Sequence, residues 1–440
     1  MKFHKLTQQK ENILKSILTP SYVLDEENLI KNLERLQDIQ ERTGAKILLA
    51  QKCFSTTAMY PLIAKYLCGT VASGLYEARL AYEEFHAAAT FATAQGEKAK
   101  VSVKEQKLEN HVFEPAYRVE DMPELNRICD HIIFNSWTQF NLHKANCPEA
   151  SLGIRINPEC STQSAAHAIY DPCAPGSRLG IRIDDMPKVL PPEIEGFHMH
   201  TLCEQNVDAL IKTVQAMEHR FGKYLHQLKW LNLGGGHYIA HDEYEVEKLV
   251  ALLNYLRVTY DLQIYLEPGE GVVLNAGYMV TTVIDKVHNG LDILILDTSA
   301  ACHFPDVIEG PFLPPVYGGY DVGNALSLEA AARTQAISPN ADLAREAKSP
   351  ELLQILQAHP YLYRLSSMTC LAGDVIGDYA FDKPIEIGDK LILQDMGLYT
   401  IVKNNTFNGM PLPAIRVLHK DGSVELIKEF GYEDFKYRLG

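Results

Sequence analysis

The sequence predicts an α/β fold, a (β/α)8 barrel, followed by a mainly antiparallel β domain. Three observations predict it. From about residue 21 to residue 278, short apolar segments alternate with helical stretches; such repeated units read as a parallel sheet covered by helices. Their number over that length fits a closed barrel. Beyond residue 278 the pattern changes to β-rich runs with hairpin turn signals.

The elements follow in order. Residues 1–20 form an N-terminal extension, and "SYVL" is the first strand of the barrel domain, 21–278. Asp25 caps a helix carrying Leu29, Leu33 and Leu36 at helical spacing, and Gly44 stops it. "KILLA" is a buried strand. "AMYPLIAKYLCG" reads as a helix ending at Gly69, and "TVASGLYEARLAYEEF" as strand, turn and helix. "HIIFNS", "SLGIRIN", "IEGFHMHTL", "LKWLNLGGG" and "LQIYLEP" complete the strands, with helices such as "VDALIKTVQAMEHRFGKYLHQ" between them. In the C-terminal domain, 279–440, "LDILILDTSA", "DKLILQDMGLYTIV" and "PAIRVLHKDGSVELI" are β-rich, and Asp421-Gly422 marks a hairpin. Residues 87–110 and 324–350 read as insertions, the second alanine-rich and helical.

Composition narrows the function classes. The chain has 440 residues, 46% hydrophobic and 22% charged, with a net charge of −15. An acidic balance disfavours nucleic acid as a partner. The nine cysteines, at 53, 68, 129, 147, 160, 173, 203, 302 and 370, include no C-x-x-C pair. Neither a zinc ribbon nor a disulfide framework is expected, and a reducing, cytoplasmic setting fits. The opening "MKFHKLTQQKENILKSILTP" has no apolar core of a secretory signal, and no apolar run reaches membrane-spanning length.

Active sites of such barrels lie at the C-terminal ends of the strands. There stand Lys52, Ser73, Arg155, His200, Gly234-Gly235-Gly236 and Glu267. Each has a plain structural reading: solvated cations, a tight turn, a helix cap. Jointly they suggest more. A lysine whose pKa falls on burial becomes a nucleophilic amine able to form a Schiff base. Consecutive glycines let backbone N–H groups approach a phosphate. A flat imidazole stacks on an aromatic ring, and a carboxylate keeps a pyridine nitrogen protonated. That set meets the needs of pyridoxal 5′-phosphate. A rival reading uses "GFHMHT", which sets His198 and His200 on one strand face. With Lys52, His237 and Asp306 it suggests a metal-dependent barrel hydrolase, although such enzymes carry H-x-H on the first strand.

The chain resembles the alanine-racemase-like, fold type III pyridoxal-phosphate decarboxylases, and within them the carboxynorspermidine and carboxyspermidine decarboxylases. The resemblance rests on "TPSYVLDEENL", "LLAQKCFS", "ASGLYEARLAYEEF", "RINPE", "SRLGIR", "GFHMHTLCEQ", "LNLGGGHYI", "YLEPGEGVV", "CLAGDVIGDY" and "GLYTIVKNNTFNGMPLP". It implies a TIM-type barrel, a pyridoxal-phosphate cofactor and a homodimer with shared active sites. It implies that Lys52 carries the cofactor, His200 stacks on it, and Gly234, Gly235 and Gly236 bind its phosphate. Glu267 would pair with the ring nitrogen, Arg155 would lie near the phenolic oxygen, and Tyr399 would add a phosphate contact. Cys370, from the partner subunit, would protonate the carbanion. The implied reaction is decarboxylation of carboxynorspermidine or carboxyspermidine to norspermidine or spermidine.

Two departures bear on the substrate. The arginine that follows E-P-G in ornithine and diaminopimelate decarboxylases is Glu270 here, which disfavours a distal carboxylate and suits a polyamine cation. The aspartate directly after the cysteine in the ornithine enzymes is Leu371 here, leaving Asp306 and Asp374 for the substrate's distal amine. Another decarboxylase of the same fold, the metal hydrolase and a non-catalytic pyridoxal-phosphate carrier remain as alternatives.

Overall fold

The computed structural model describes residues 4–87, 107–310, 312–322 and 350–440. Most of the suspected insertion 87–110, and nearly all of 324–350, lie outside the described residues. The chain divides into two units, Met1–Leu29 with Asn275–Gly440, and Ile30–Leu274.

The first strand, β1 (Ser21–Asp25), belongs to the former unit and not to the barrel. It lies between antiparallel and parallel neighbours and is buried at all five positions. A strand covered on both faces shows the same continuous apolar run in either kind of sheet, so the sequence could not tell them apart. Asp25 does cap the next helix, Glu26–Thr43: its Oδ1 accepts from Asn28 N–H at 3.2 Å.

The second unit is a closed parallel barrel of eight strands. They are β2 (Lys46–Ala50), β3 (Gly69–Ala72), β4 (Glu109–Phe113), β5 (His131–Phe134), β6 (Ser151–Arg155), β7 (Ile194–His198), β8 (Trp230–Asn232) and β9 (Gln263–Leu266). Strand β4 takes the place in the barrel that the sequence reading had given to β1. Its polar residues hid it: Asn110 and His111 are fully buried. The Asn110 amide is satisfied inside, donating to Ala78 O and Ile128 O at 3.0 Å each. The expected helix up to Gly69 is shorter, a 3-10 turn at Thr57–Met59 and one helical turn at Tyr60–Ile63. Gly69 instead opens β3, where a Cβ would lie 1.9 Å from Glu109 O.

Inside the barrel, Trp230 packs with Leu48, Cys68, Ile133 and Tyr265. Two strands are bare to admit it. A Cβ at Gly196 would lie 1.9 Å from the indole, and one at Gly153 2.2 Å.

The other unit carries the nine-stranded sheet. Besides β1 it contains β10 (Gly277–His288), β11 (Asp292–Leu296), β12 (Gly319–Asp321), β13 (Tyr361–Ser367), β14 (Val375–Phe381), β15 (Lys390–Gln394), β16 (Ala414–Leu418) and β17 (Val424–Lys428). The order is β12-β14-β13-β11-β10-β1-β16-β17, with β15 also on β10. Pairing is antiparallel except β1 with β16 and β11 with β13. The expected hairpin at Asp421-Gly422 joins β16 to β17, with Gly422 at φ +88°. Tyr22, Met279, Leu294, Leu296, Leu365 and Tyr379 are among its core residues.

Candidate active site

The barrel brings a group of predicted residues, and with them the unpredicted Asn232, to the C-terminal ends of its strands. Lys52 follows β2, Arg155 ends β6, His198 ends β7, Asn232 ends β8, and Glu267 follows β9. Two loops interlock there: a Cβ at Gly269, in "EPG", would lie 2.4 Å from Cys53 Cβ. The sequence "QKCF" and the sequence "EPG" therefore fix each other at backbone distance.

Glu267 is buried, and both its oxygens are held. Asn232 Nδ2 donates to Oε1 at 2.6 Å, and His198 Nε2 meets Oε2 at 3.3 Å. Burial pushes this carboxyl up, but His198, the Lys52 charge and the Asn232 hydrogen bond outweigh it, and the pKa falls to about 2. Lys52 is open to solvent by surface yet surrounded by protein, and desolvation lowers its pKa. The Arg155 charge lowers it further, while Glu267 opposes the shift. Arg155 itself is desolvated to about 10. Its Nη2 donates to His200 O at 3.0 Å, and its guanidinium stands 4.6 Å from the Phe113 ring centre.

His200 lies beyond the end of β7, not within the strand as "GFHMHT" suggested. Its Nδ1 accepts from Gly235 N–H at 3.1 Å, which puts the ring proton on Nε2. Desolvation and the Lys52 and Arg155 charges hold its pKa well below the usual range, so the ring is neutral.

The glycine loop is tightly enclosed. Gly234 and Gly236 have φ of +70° and +80°. A Cβ would lie 2.7 Å from His200 Cβ at Gly234, 2.3 Å from Glu267 O at Gly235, and 2.1 Å from Leu202 O at Gly236. Two of the three amides are engaged. Gly234 N–H donates to Asn232 Oδ1 at 2.8 Å and Gly235 N–H to His200, leaving Gly236 N–H without a partner among the described residues.

Sequence reasoning stopped at Ser73 and missed the acidic groups beside it. A cavity of about 250 Å³ there is lined by Ser73, Glu77, Glu114, Arg118 and Asp121, among others. Burial raises the Glu114 carboxyl to about 7. Glu77 accepts from Ser73 N–H at 2.6 Å and feels the Lys52 charge. Asn232 and Phe113 were also missed, and His198 was read only as a metal ligand. The short spacing of Asn232 from the glycines in "LNLGGG" was the available signal.

Glu270 opens a short helix and meets His241 Nε2 at 3.0 Å. The remaining predicted residues belong to the sheet unit. Tyr399 has φ +48°, a backbone region uncommon for a bulky residue. Cys370 is exposed. Asp306 and Glu309 both pair with Lys403, Glu309 at 2.5 Å. Asp374 is buried, and its carboxylate already accepts four hydrogen bonds, so it has no capacity left for a substrate amine.

His198, His200 and Glu267 offer ligand atoms within 4.8 Å of one another, as the metal reading requires. Against it stand Lys52 and Arg155, whose charges act on both histidines and repel a metal ion. His237 is turned to Gly234 O at 3.2 Å. A second such group, Glu109, His111 and His131, begins at the opposite end of the barrel. There Glu109 is neutralised by Lys46 and held by His111 at 2.9 Å, an internal ion pair plugging the barrel floor.

No protein-family model matches the chain. It is 38% identical over 422 residues to a carboxynorspermidine/carboxyspermidine decarboxylase of Campylobacter jejuni, covering 96% of this chain and 98% of that one. It is 35% identical over 431 residues to a carboxyaminopropylagmatine decarboxylase of Synechocystis, covering 97% of each. The crystal structure of a carboxynorspermidine decarboxylase complexed with norspermidine, from Campylobacter jejuni, superposes with a TM-score of 0.79 at 36% identity. That match covers 96% of this chain and 100% of the other.

Proposed function

Because the chain belongs to the carboxynorspermidine/carboxyspermidine decarboxylase family of fold type III, we propose that it removes carbon dioxide from a carboxylated polyamine, carboxynorspermidine or carboxyspermidine, using pyridoxal 5′-phosphate. The observation that carries this is the buried Glu267 carboxylate, kept charged by Asn232 and His198, at the same barrel end as a lysine of lowered pKa.

The residues present fit the cofactor. Lys52 offers an amine that is more readily deprotonated than an ordinary lysine's. Glu267 offers a permanent negative charge for a ring nitrogen, and neutral His200 a flat face for stacking. The glycine loop packs too closely against His200, Glu267 and Leu202 to admit a Cβ, and its Gly236 N–H is open to a phosphate oxygen. Tyr399 and Arg155 would complete the phosphate and phenolic-oxygen contacts. When bound, the cofactor supplies an electron sink for the pair left on the substrate carbon as carbon dioxide departs. Lys52 would hold the cofactor and move a proton at its Nζ. Glu267 would hold a proton at the ring nitrogen, and the Cys370 thiol would donate one to the substrate carbon.

The thiol would serve a second copy of the chain. Met368, Leu371 and Phe407, near Cys370 in the fold, are exposed apolar side chains of the kind a subunit interface covers. Asp306 and Glu309 supply the negative charge for a distal ammonium, with Lys403 in competition. Glu77 adds acid near Lys52.

The test is the visible spectrum of the purified protein, before and after borohydride, with mapping of the modified peptide. A chromophore lost on reduction, with the label on Lys52, is expected. No chromophore even with added pyridoxal phosphate would sink the proposal. The substrate panel then compares carboxynorspermidine, carboxyspermidine and carboxyaminopropylagmatine, whose tail ends in a guanidinium.

A further inference from the structure

Resting on the reading of Cys370 as proton donor, we propose that Asn408 and Asp374 are positioning residues that hold its loop in register. The loop is Met368–Asp374, between β13 and β14. It is exposed from Cys370 to Gly373, so packing does not hold the thiol in place. Hydrogen bonds do so instead.

One tether acts on Cys370 directly. Its N–H donates to Asn408 Oδ1 at 2.9 Å. Asn408 sits at φ +61° in the turn Phe407–Gly409. That turn is fixed in its own right: Asn405 Oδ1 accepts from Phe407 N–H at 2.9 Å, and Asn405 Nδ2 donates to Ala301 O at 2.8 Å.

The other tether braces the loop's two stems. Asp374 Oδ1 accepts from Ser367 Oγ at 2.8 Å and Ala301 N–H at 3.2 Å. Its Oδ2 accepts from Ser299 Oγ at 2.7 Å and Thr369 Oγ1 at 2.5 Å. Ser299 caps the helix Ala300–His303, accepting from Cys302 N–H. Both tethers therefore end on one short helix, and the Cys370 backbone that carries the thiol is located to hydrogen-bond precision. A proton donor needs that precision, because a displacement of about 1 Å can cost about a hundredfold in rate. The four donors around Asp374 also explain why this aspartate is an anchor and not an amine ligand.

The experiment is a double-mutant cycle on the full-length enzyme. Asn408→Gly keeps the left-handed backbone available while deleting the acceptor, and Thr369→Val deletes one donor to Asp374 at nearly constant shape. Each is made alone and with Cys370→Ala. The expected result is that each single variant lowers kcat by about tenfold or more, with KM within about twofold. In the Cys370→Ala background the same changes cost nothing further. Alkylation of Cys370 by iodoacetamide, followed by peptide mass spectrometry, changes rate in Asn408→Gly. Equal losses in both backgrounds, or an unchanged alkylation rate, would mean that the bonds merely stabilise the domain. A Cys370→Ala enzyme with normal turnover would remove the thiol from the reaction, overturning the parent reading as well. Normal turnover of Asn408→Gly, beside a crippled Cys370→Ala, would overturn the positioning role alone.

Discussion

Asn232 Nδ2 donates to Glu267 Oε1 at 2.6 Å, and that same asparagine's Oδ1 accepts from Gly234 N–H at 2.8 Å. One side chain thus sets the carboxylate and the first amide of the glycine loop together. With His198 on the other oxygen, the Glu267 carboxylate has a pKa of about 2 against an ordinary 4.5. It stays charged at every pH above about 4. Glu267→Gln is expected to retain the chromophore and to lower kcat by about a hundredfold or more, since a preorganised charge is lost. The pH–rate profile of the native enzyme should show no limb from this group between pH 5 and 9.

Acid sensitivity should come from histidines. His237 and His303 have pKa values near 4 and His131 near 2, all through burial, against 6.5 when free. As pH falls below 6.5 the unfolded chain binds these protons and the folded one does not, so stability is present above 6.5 and lost downward. Each group contributes up to about 1.4 kcal/mol per pH unit in that window. Thermal unfolding at pH 7 and 5.5 should therefore differ by about 3–4 kcal/mol. Equal midpoints at the two pH values would contradict this account.

Gly196→Ala should be poorly tolerated, because its Cβ would fall 1.9 Å from the Trp230 indole. Overpacking of this kind costs about 1–3 kcal/mol or more. Trp230→Leu, which frees that space, should recover part of the loss in the double variant, as denaturant midpoints would reveal.

Asp306 and Asp374 should separate cleanly. Asp306→Ala is expected to raise KM for a substrate ending in ammonium severalfold, with stability nearly unchanged, because its Lys403 pair is part-exposed. Asp374→Asn is expected to lower stability by about 1–3 kcal/mol, since buried donors lose an ionised partner. A KM effect confined to Asp374→Asn would reverse the assignment.

The barrel was legible wherever its strands are apolar. "HIIF" and "SLGIR" announce themselves, whereas β4, "ENHVF", does not, because Asn110 and His111 interrupt its apolar run: Asn110 is satisfied by carbonyls 32 and 18 residues away, and His111 bonds to Glu109 within the strand. The strand "SYVLD" was visible but was assigned to the wrong sheet, since burial on both faces erases the alternation that distinguishes sheets. In the site, Lys52, His200 and Glu267 were readable from their place at strand ends. The partners that tune them were not: whether His198 faces a metal or a carboxylate is decided by Glu267, 69 residues away. Asp374 illustrates the limit best. A fully satisfied buried aspartate and a ligand-binding one are identical in sequence, and only the four donors around it tell them apart.

The position of β1 also sets an order of events during synthesis. Ser21 pairs with Val280 on one edge and with Ala414 on the other. When this strand leaves the ribosome, neither neighbour has been translated. The barrel strands run without interruption from Lys46 to Leu266, so the barrel can close while β1 still waits. The second edge of β1 stays open until the nascent chain is almost finished. A premature stop before residue 414 would thus damage the protein at its opposite end, exposing the edge of a strand made at the beginning.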